Sequence, residues 1–96
     1  MIRSFGNKMT EDIYNGITSK EARKFPGELR GVAERKFDMI DAAAEILDLR
    51  VPPSNRLEKL KGDRIGQFSI RINDQYRICF QFTQGNATGV EIVDYH

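Results

Sequence analysis

Hydrophobic residues recur along this chain at two different spacings, and the change of spacing divides it into a helical first half and a strand-rich second half. From Glu28 onward, Leu29, Val32, Ala33, Phe37, Ile40, Ala44 and Leu47 recur at three- and four-residue steps. That is the spacing of one face of a helix. Glu34, Asp38, Asp41, Glu45 and Asp48 repeat at similar steps on another face. The pattern predicts an amphipathic helix with an acidic ridge, and a kink is allowed at Asp41, where a new segment can start. The ridge reads as a solvent face, and Phe37 and Met39 as core. Val51-Pro52-Pro53-Ser54-Asn55 breaks the helix, because each proline removes a backbone donor. Upstream, Ile2 to Phe5 reads as a short strand. Thr10 reads as the cap of a brief helical turn through Tyr14, ended by Gly16. Thr18 or Ser19 caps another over Lys20 to Lys24, and Phe25-Pro26-Gly27 punctuates the chain.

Beyond Gly66 the period falls to two, as in half-buried strands. Phe68, Ile70 and Ile72 alternate with Ser69, Arg71 and Asn73. Asn73-Asp74-Gln75 reads as a tight hairpin turn. Tyr76, Ile78, Phe80 and Phe82 share one face, opposite Arg77, Cys79 and Gln81. A second turn at Gln84 to Thr88 leads to a last strand, Val90 to Tyr95. Leu57 and Leu60 anchor the loop before the hairpin, and Gly62 and Gly66 bracket a turn within it. The expected fold is α+β: a short N-terminal strand, then helices packed on one face of a small antiparallel sheet with a C-terminal three-strand meander. It is read as a single domain over 1–96, since a chain of this length has room for one core.

Composition narrows the class. Apolar residues are 40% of the chain, which suits a folded protein. No apolar run approaches the roughly 20 residues of a membrane span, and the opening residues lack the pattern of a signal peptide. A lone cysteine, Cys79, excludes an internal disulfide. These features point to the cytoplasm. The formal net charge is only +1, but it is unevenly spread. Residues 1–54 balance nine Lys/Arg against nine Asp/Glu. Residues 55–77 carry six basic residues (Arg56, Lys59, Lys61, Arg64, Arg71 and Arg77) against three acidic ones. A local cationic segment of this kind is what a phosphate site looks like, although an ordinary solvated hairpin has the same composition.

The alternation sets Arg71 and Arg77 together on the open face of two paired strands. Two guanidiniums there repel each other unless an anion lies between them, and the planar fork of arginine suits a phosphate. The alternative is that each pairs with Glu91 or Asp94 across the sheet. Lys59, Lys61 and Arg64 come from the adjoining loop. The only histidine, His96, follows Asp94 and Tyr95 off the last strand, and an imidazole suits proton transfer near neutrality. One histidine and one cysteine in different strands make no recognisable metal site. Basic residues, one imidazole and no metal fit RNA transesterification, in which the RNA supplies its own 2′-OH nucleophile. That chemistry needs a base, an acid and cations for the charge developing on phosphorus.

The blocks Leu49-Arg50-Val51-Pro52-Pro53, Asn55 to Arg64, Gly66-Gln67, Ser69 to Ile78 and Val90 to His96 resemble, in order, the signature of HigB-type toxins of the RelE superfamily. Met1 to Phe5 is similar too, so the resemblance covers nearly the whole chain. It implies a RelE-like fold, a cytoplasmic toxin–antitoxin pair and ribosome-dependent mRNA cleavage without a cofactor. It also implies a HigA-like helix-turn-helix antitoxin that neutralises the toxin and represses the operon. Lys61, Arg77, Asp94, Tyr95 and His96 match family positions tied to activity, with Asp94 positioning His96. Arg56, Lys59, Arg64 and Arg71 are candidate RNA-phosphate contacts. Some members have a histidine in the loop before the lysine, where this chain has Glu58. Either Glu58 takes over a proton-transfer role, or His96 and Tyr95 carry it, or activity is weaker. A different class of reading is a module that binds the ribosome or its antitoxin without cutting RNA.

Overall fold

The computed structural model describes residues 1–95. Two helices, α1 (Lys8–Tyr14) and α2 (Arg30–Ala42), precede a four-stranded antiparallel sheet. Its strands are β1 (Glu58–Lys59), β2 (Phe68–Arg71), β3 (Tyr76–Thr83) and β4 (Asn86–Asp94), and they lie side by side in chain order. The α+β architecture expected from the change of period is therefore present.

Asn7, rather than Thr10, starts α1: its side-chain oxygen accepts from the Thr10 N–H at 2.9 Å. Thr10 is buried instead, and its hydroxyl accepts from the Ile92 N–H at 2.9 Å, which ties α1 to β4. Asp12 joins α1 to the next turn by accepting from Ser19 and Lys8. Those two donors hold its carboxyl below the usual carboxylate range. The Ser19 hydroxyl also accepts from the Ala22 N–H at 3.0 Å, while the residue at the cap of the short turn Ala22–Lys24 is Glu21.

The second helix is shorter than its pattern predicts. It buries Ala33, Lys36, Phe37 and Ile40, then stops at Ala42, where Ala43 turns extended. The cause lies just downstream. The Asp48 carboxylate accepts from the Ala44 and Glu45 N–H groups at 3.0 and 3.1 Å, and Glu45 caps in return. This reciprocal box starts a new tight turn, Ile46–Arg50, on a different axis. Leu47 is consequently 56% exposed, while Leu49 is buried. The acidic ridge is correspondingly divided. Asp41 accepts from the Ile2 N–H at 2.7 Å and from the Tyr14 hydroxyl at 2.5 Å. Glu45 and Asp48 cap, and only Glu34 and Asp38 are left as a solvent face.

The expected N-terminal strand is reduced to two isolated parallel bridges, Ile2 to Ala87 and Phe5 to Val90. Gly89 (φ +61°) kinks β4 between them, and its N–H goes to the Ser4 hydroxyl at 2.9 Å. On the opposite side, Glu58 and Lys59 form an unforeseen edge strand against Ser69 and Phe68. Two polar residues carry no readable period; Leu60 holds them in place, donating to the Gln67 carbonyl at 2.8 Å.

Ile70, Ile78 and Ile92 align across β2, β3 and β4. Together with Phe80 and Val90 they pack on Ile13, Ala33, Phe37 and Ile40 to form the core. Among the described residues, no helix is long and apolar enough to cross a membrane.

Candidate active site

Strand alternation turns Ser69, Arg71, Arg77 and Cys79 to the sheet face opposite that core. The register sets Arg71 across from Arg77 and Ser69 across from Cys79. The β2–β3 turn is shaped by Asn73, whose side-chain oxygen accepts from the N–H groups of Gln75 and Tyr76 at 2.9 and 2.8 Å. The same turn holds the end of β4. The Tyr95 N–H donates to the Gln75 carbonyl at 2.6 Å, and the Gln75 side chain donates to Asp94 at 3.1 Å. This brings the Tyr95 ring over Arg77, with the guanidinium carbon 6.0 Å from the ring centroid. A third wall comes from the turn Pro53–Asn55, after which Arg56 adopts a left-handed conformation (φ 46°).

These elements enclose a cavity of about 270 Å³ lined by Arg56, Glu58, Arg71, Asp74, Arg77 and Tyr95, with Asn73 at its wall. Three arginines there face two carboxylates, so the lining is net cationic. A larger cavity of about 480 Å³ lies between α1 and α2. Its charged lining is Glu34 and Asp38, the wrong sign for a phosphate.

Arg77 lines the smaller cavity and is itself buried. Its Nε donates to the Ser69 hydroxyl at 2.8 Å, and its Nη2 donates to the Arg56 carbonyl at 2.6 Å. Both acceptors are neutral, so neither cancels the charge. The remaining nitrogen, Nη1, lies 3.8 Å from a Glu58 oxygen, too far for a hydrogen bond. The guanidinium is thus fixed on two sides, and among the described residues its third nitrogen has only this long ion pair with Glu58. Arg71 differs, because it is ion-paired with the exposed Asp74 in the hairpin turn.

Burial pushes the Tyr95 phenol above its ordinary pKa, and the neighbouring Cys79 adds to the shift. At neutral pH Tyr95 is therefore a hydrogen-bond donor, not a phenolate. Burial raises the Cys79 thiol as well, so it stays protonated beneath the site.

The residues expected from the sequence divide as follows. Arg56, Glu58, Arg71, Arg77 and Tyr95 meet at one cavity. Arg64 does not join them, because it pairs with Glu91 at 2.7 Å and with Gln67 at 3.0 Å. Register explains this. Glu91 sits opposite Cys79, two residues along β3 from Arg77, whose own partner on β4 is Val93. The alternative pairing of Arg71 or Arg77 with Glu91 is thereby replaced. Lys59 and Lys61 are exposed and do not line the cavity. Asp94 is exposed beside Gln75. His96 lies outside the described residues.

Ser69, Asn73 and Asp74 are site residues that the sequence reading left out. Ser69 was legible as the alternation partner of Arg71, and Asp74 as a turn carboxylate three residues after it. Among the described residues, no three His, Cys, Asp or Glu side chains converge as metal ligands do.

Comparison with known proteins bears on this arrangement. A family model described as "RelE-like toxin of type II toxin-antitoxin system HigB" matches residues 3–96. The chain is 40% identical over 87 residues to Toxin HigB-1 of Vibrio cholerae serotype O1, covering 91% of this chain and 90% of the relative. It is 35% identical over 97 residues to Endoribonuclease HigB of Proteus vulgaris, across the full length of both. In fold it is similar to a chain of the YoeB–YefM complex from Staphylococcus aureus. That match has a TM-score of 0.62 at 16% identity and covers 100% of this chain and 98% of the other.

Proposed function

Because the chain belongs to the RelE-like HigB toxins of type II toxin–antitoxin systems, we propose that it is an endoribonuclease cutting mRNA on the ribosome through the RNA's own 2′-OH. The observation that carries this reading is the Arg77 guanidinium: buried, fixed by two neutral acceptors, and with Nη1 in no hydrogen bond among the described residues, only a 3.8 Å ion pair with Glu58. A cation prepared in this way needs no rearrangement to meet the charge that grows on phosphorus.

In the proposed reaction the 2′-oxygen attacks phosphorus and the bond to the 5′-oxygen breaks. The products are a 2′,3′-cyclic phosphate and a free 5′-OH. Glu58, at the cavity wall, takes the proton of the 2′-OH in place of the family's loop histidine. Tyr95, protonated at neutral pH, hydrogen-bonds a phosphate oxygen or the departing 5′-oxygen. His96 supplies the proton that the 5′-oxygen gains, and Asp94 orients it. Arg71 and Arg56 hold neighbouring phosphates. Lys61 and Lys59, exposed outside the cavity, extend the contact to the RNA backbone. The partner that neutralises the toxin is a HigA-like helix-turn-helix antitoxin.

The test is a map of mRNA 5′ ends formed with purified protein, with and without ribosomes. Site-specific new ends that need ribosomes and persist in chelator are expected. Blocked translation without new ends would instead favour a ribosome-binding module.

A further inference from the structure

Among the described residues, Lys36 is the only buried lysine. Its ammonium donates to the side-chain oxygen of Asn55 at 2.5 Å. No carboxylate lies within ion-pair distance of it among the described residues. Burial, with Arg35 and Arg71 nearby, pushes its pKa down. An uncompensated buried cation is costly to a fold. Asn55 is itself fully buried, and its amide nitrogen donates to the Leu49 carbonyl at 3.2 Å and toward the Met39 sulfur at 3.6 Å. The two side chains thus clamp the turn Pro53–Asn55 onto α2. The next residue is Arg56, whose left-handed backbone (φ 46°, ψ 54°) aims its carbonyl at Arg77 Nη2, 2.6 Å away. For a residue other than glycine that conformation is unfavourable unless its surroundings hold it.

We propose that Lys36 is a positioning residue: through Asn55 it locks the Arg56 turn, whose carbonyl orients the Arg77 guanidinium for the scissile phosphate. Lys36 does not line the cavity, so it touches no reacting group, and its hydrogen-bonded link to Arg77 runs through this relay. The catalytic half of the inference rests on the endoribonuclease reading, whereas the structural half does not.

The experiment therefore reads both. The Arg77 Nε–H resonance is followed by NMR, and cleavage kinetics are measured alongside it, in the parent, Lys36→Met and Lys36→Arg. For Lys36→Met the Arg77 signal is expected to shift while the core methyl signals stay in place. Its kcat should fall about 10- to 100-fold, the scale of a misplaced catalytic group, with KM nearly unchanged. Lys36→Arg keeps charge and donors, and is expected to restore the signal and most of the rate. If Lys36→Met does not fold, Lys36→Gln carries the same expectations. An unmoved Arg77 signal in a folded Lys36→Met or Lys36→Gln overturns the relay. So does a rate loss confined to KM. A parent that cuts no RNA overturns the endoribonuclease reading, while the Arg77 signal still decides the relay.

Discussion

Replacing Arg77 by alanine is expected to lower RNA cleavage about 100- to 1,000-fold, the usual cost of losing a donor aimed at transition-state charge. Growth arrest on overexpression should disappear with it. The reasoning is geometric. Nε and Nη2 are held by the Ser69 hydroxyl and the Arg56 carbonyl, so the third nitrogen is presented at a fixed place. Arg71 cannot substitute, since Asp74 already pairs with it. Arg64 cannot either, because Glu91 holds it at 2.7 Å. Arg77→Lys should be nearly as damaging as Arg77→Ala. A lysine ammonium is a single point on a flexible stem and cannot bind two fixed acceptors while offering a third nitrogen to phosphate. The loss should fall on kcat, because the interaction strengthens as charge develops. A folded Arg77→Ala as active as its parent would remove Arg77 from the chemistry.

The largest effect on stability is expected at Phe37. It is 1% exposed, sits at the centre of α2's buried face and meets the Tyr14 ring edge-on at 5.6 Å between centroids. Phe37→Ala should cost about 3–5 kcal/mol, as large-to-small changes in a packed core do. Small domains have only about 5–15 kcal/mol in total, so the variant should be close to unfolding at growth temperature. Urea denaturation of parent and variant at the same pH measures this. A loss under about 1 kcal/mol would mean that the space collapses and that α2 is not the main support of the sheet. The effect should separate cleanly from that of Arg77, since Phe37 lies in the α2–sheet core and Arg77 on the opposite sheet face.

How legible these features were in the sequence depended on the distance over which each is determined. The hairpin was readable because period-two alternation, a local property, fixes both the pleat and the pairing of Arg71 with Arg77. Helix α2 ends at Ala42, beside the kink allowed at Asp41, but Ala44 and Leu47 leave its face because the Glu45–Asp48 capping box redirects the chain. A Glu-x-x-Asp step was visible, but it competes with an acidic ridge that reads equally well. Strand β1 was hidden because two exposed polar residues carry no period. At the site, the sequence identified the residue types but not their partners. That Glu91 meets Arg64 and not Arg77 depends on the register of β3 with β4, which sets Glu91 opposite Cys79. The buried Lys36–Asn55 contact joins positions 19 residues apart, and no local pattern marks it.

The account stands most directly on the 2′-oxygen as nucleophile, and a single-atom change in the RNA tests it. An mRNA is positioned on the ribosome with one 2′-deoxynucleotide placed immediately 5′ of a mapped cleavage site. The all-ribose message should be cut there, leaving a 2′,3′-cyclic phosphate, and the deoxy message should remain intact at that bond alone. Equal cleavage of both messages would contradict the mechanism, because the nucleophile would then have to come from water or from the protein.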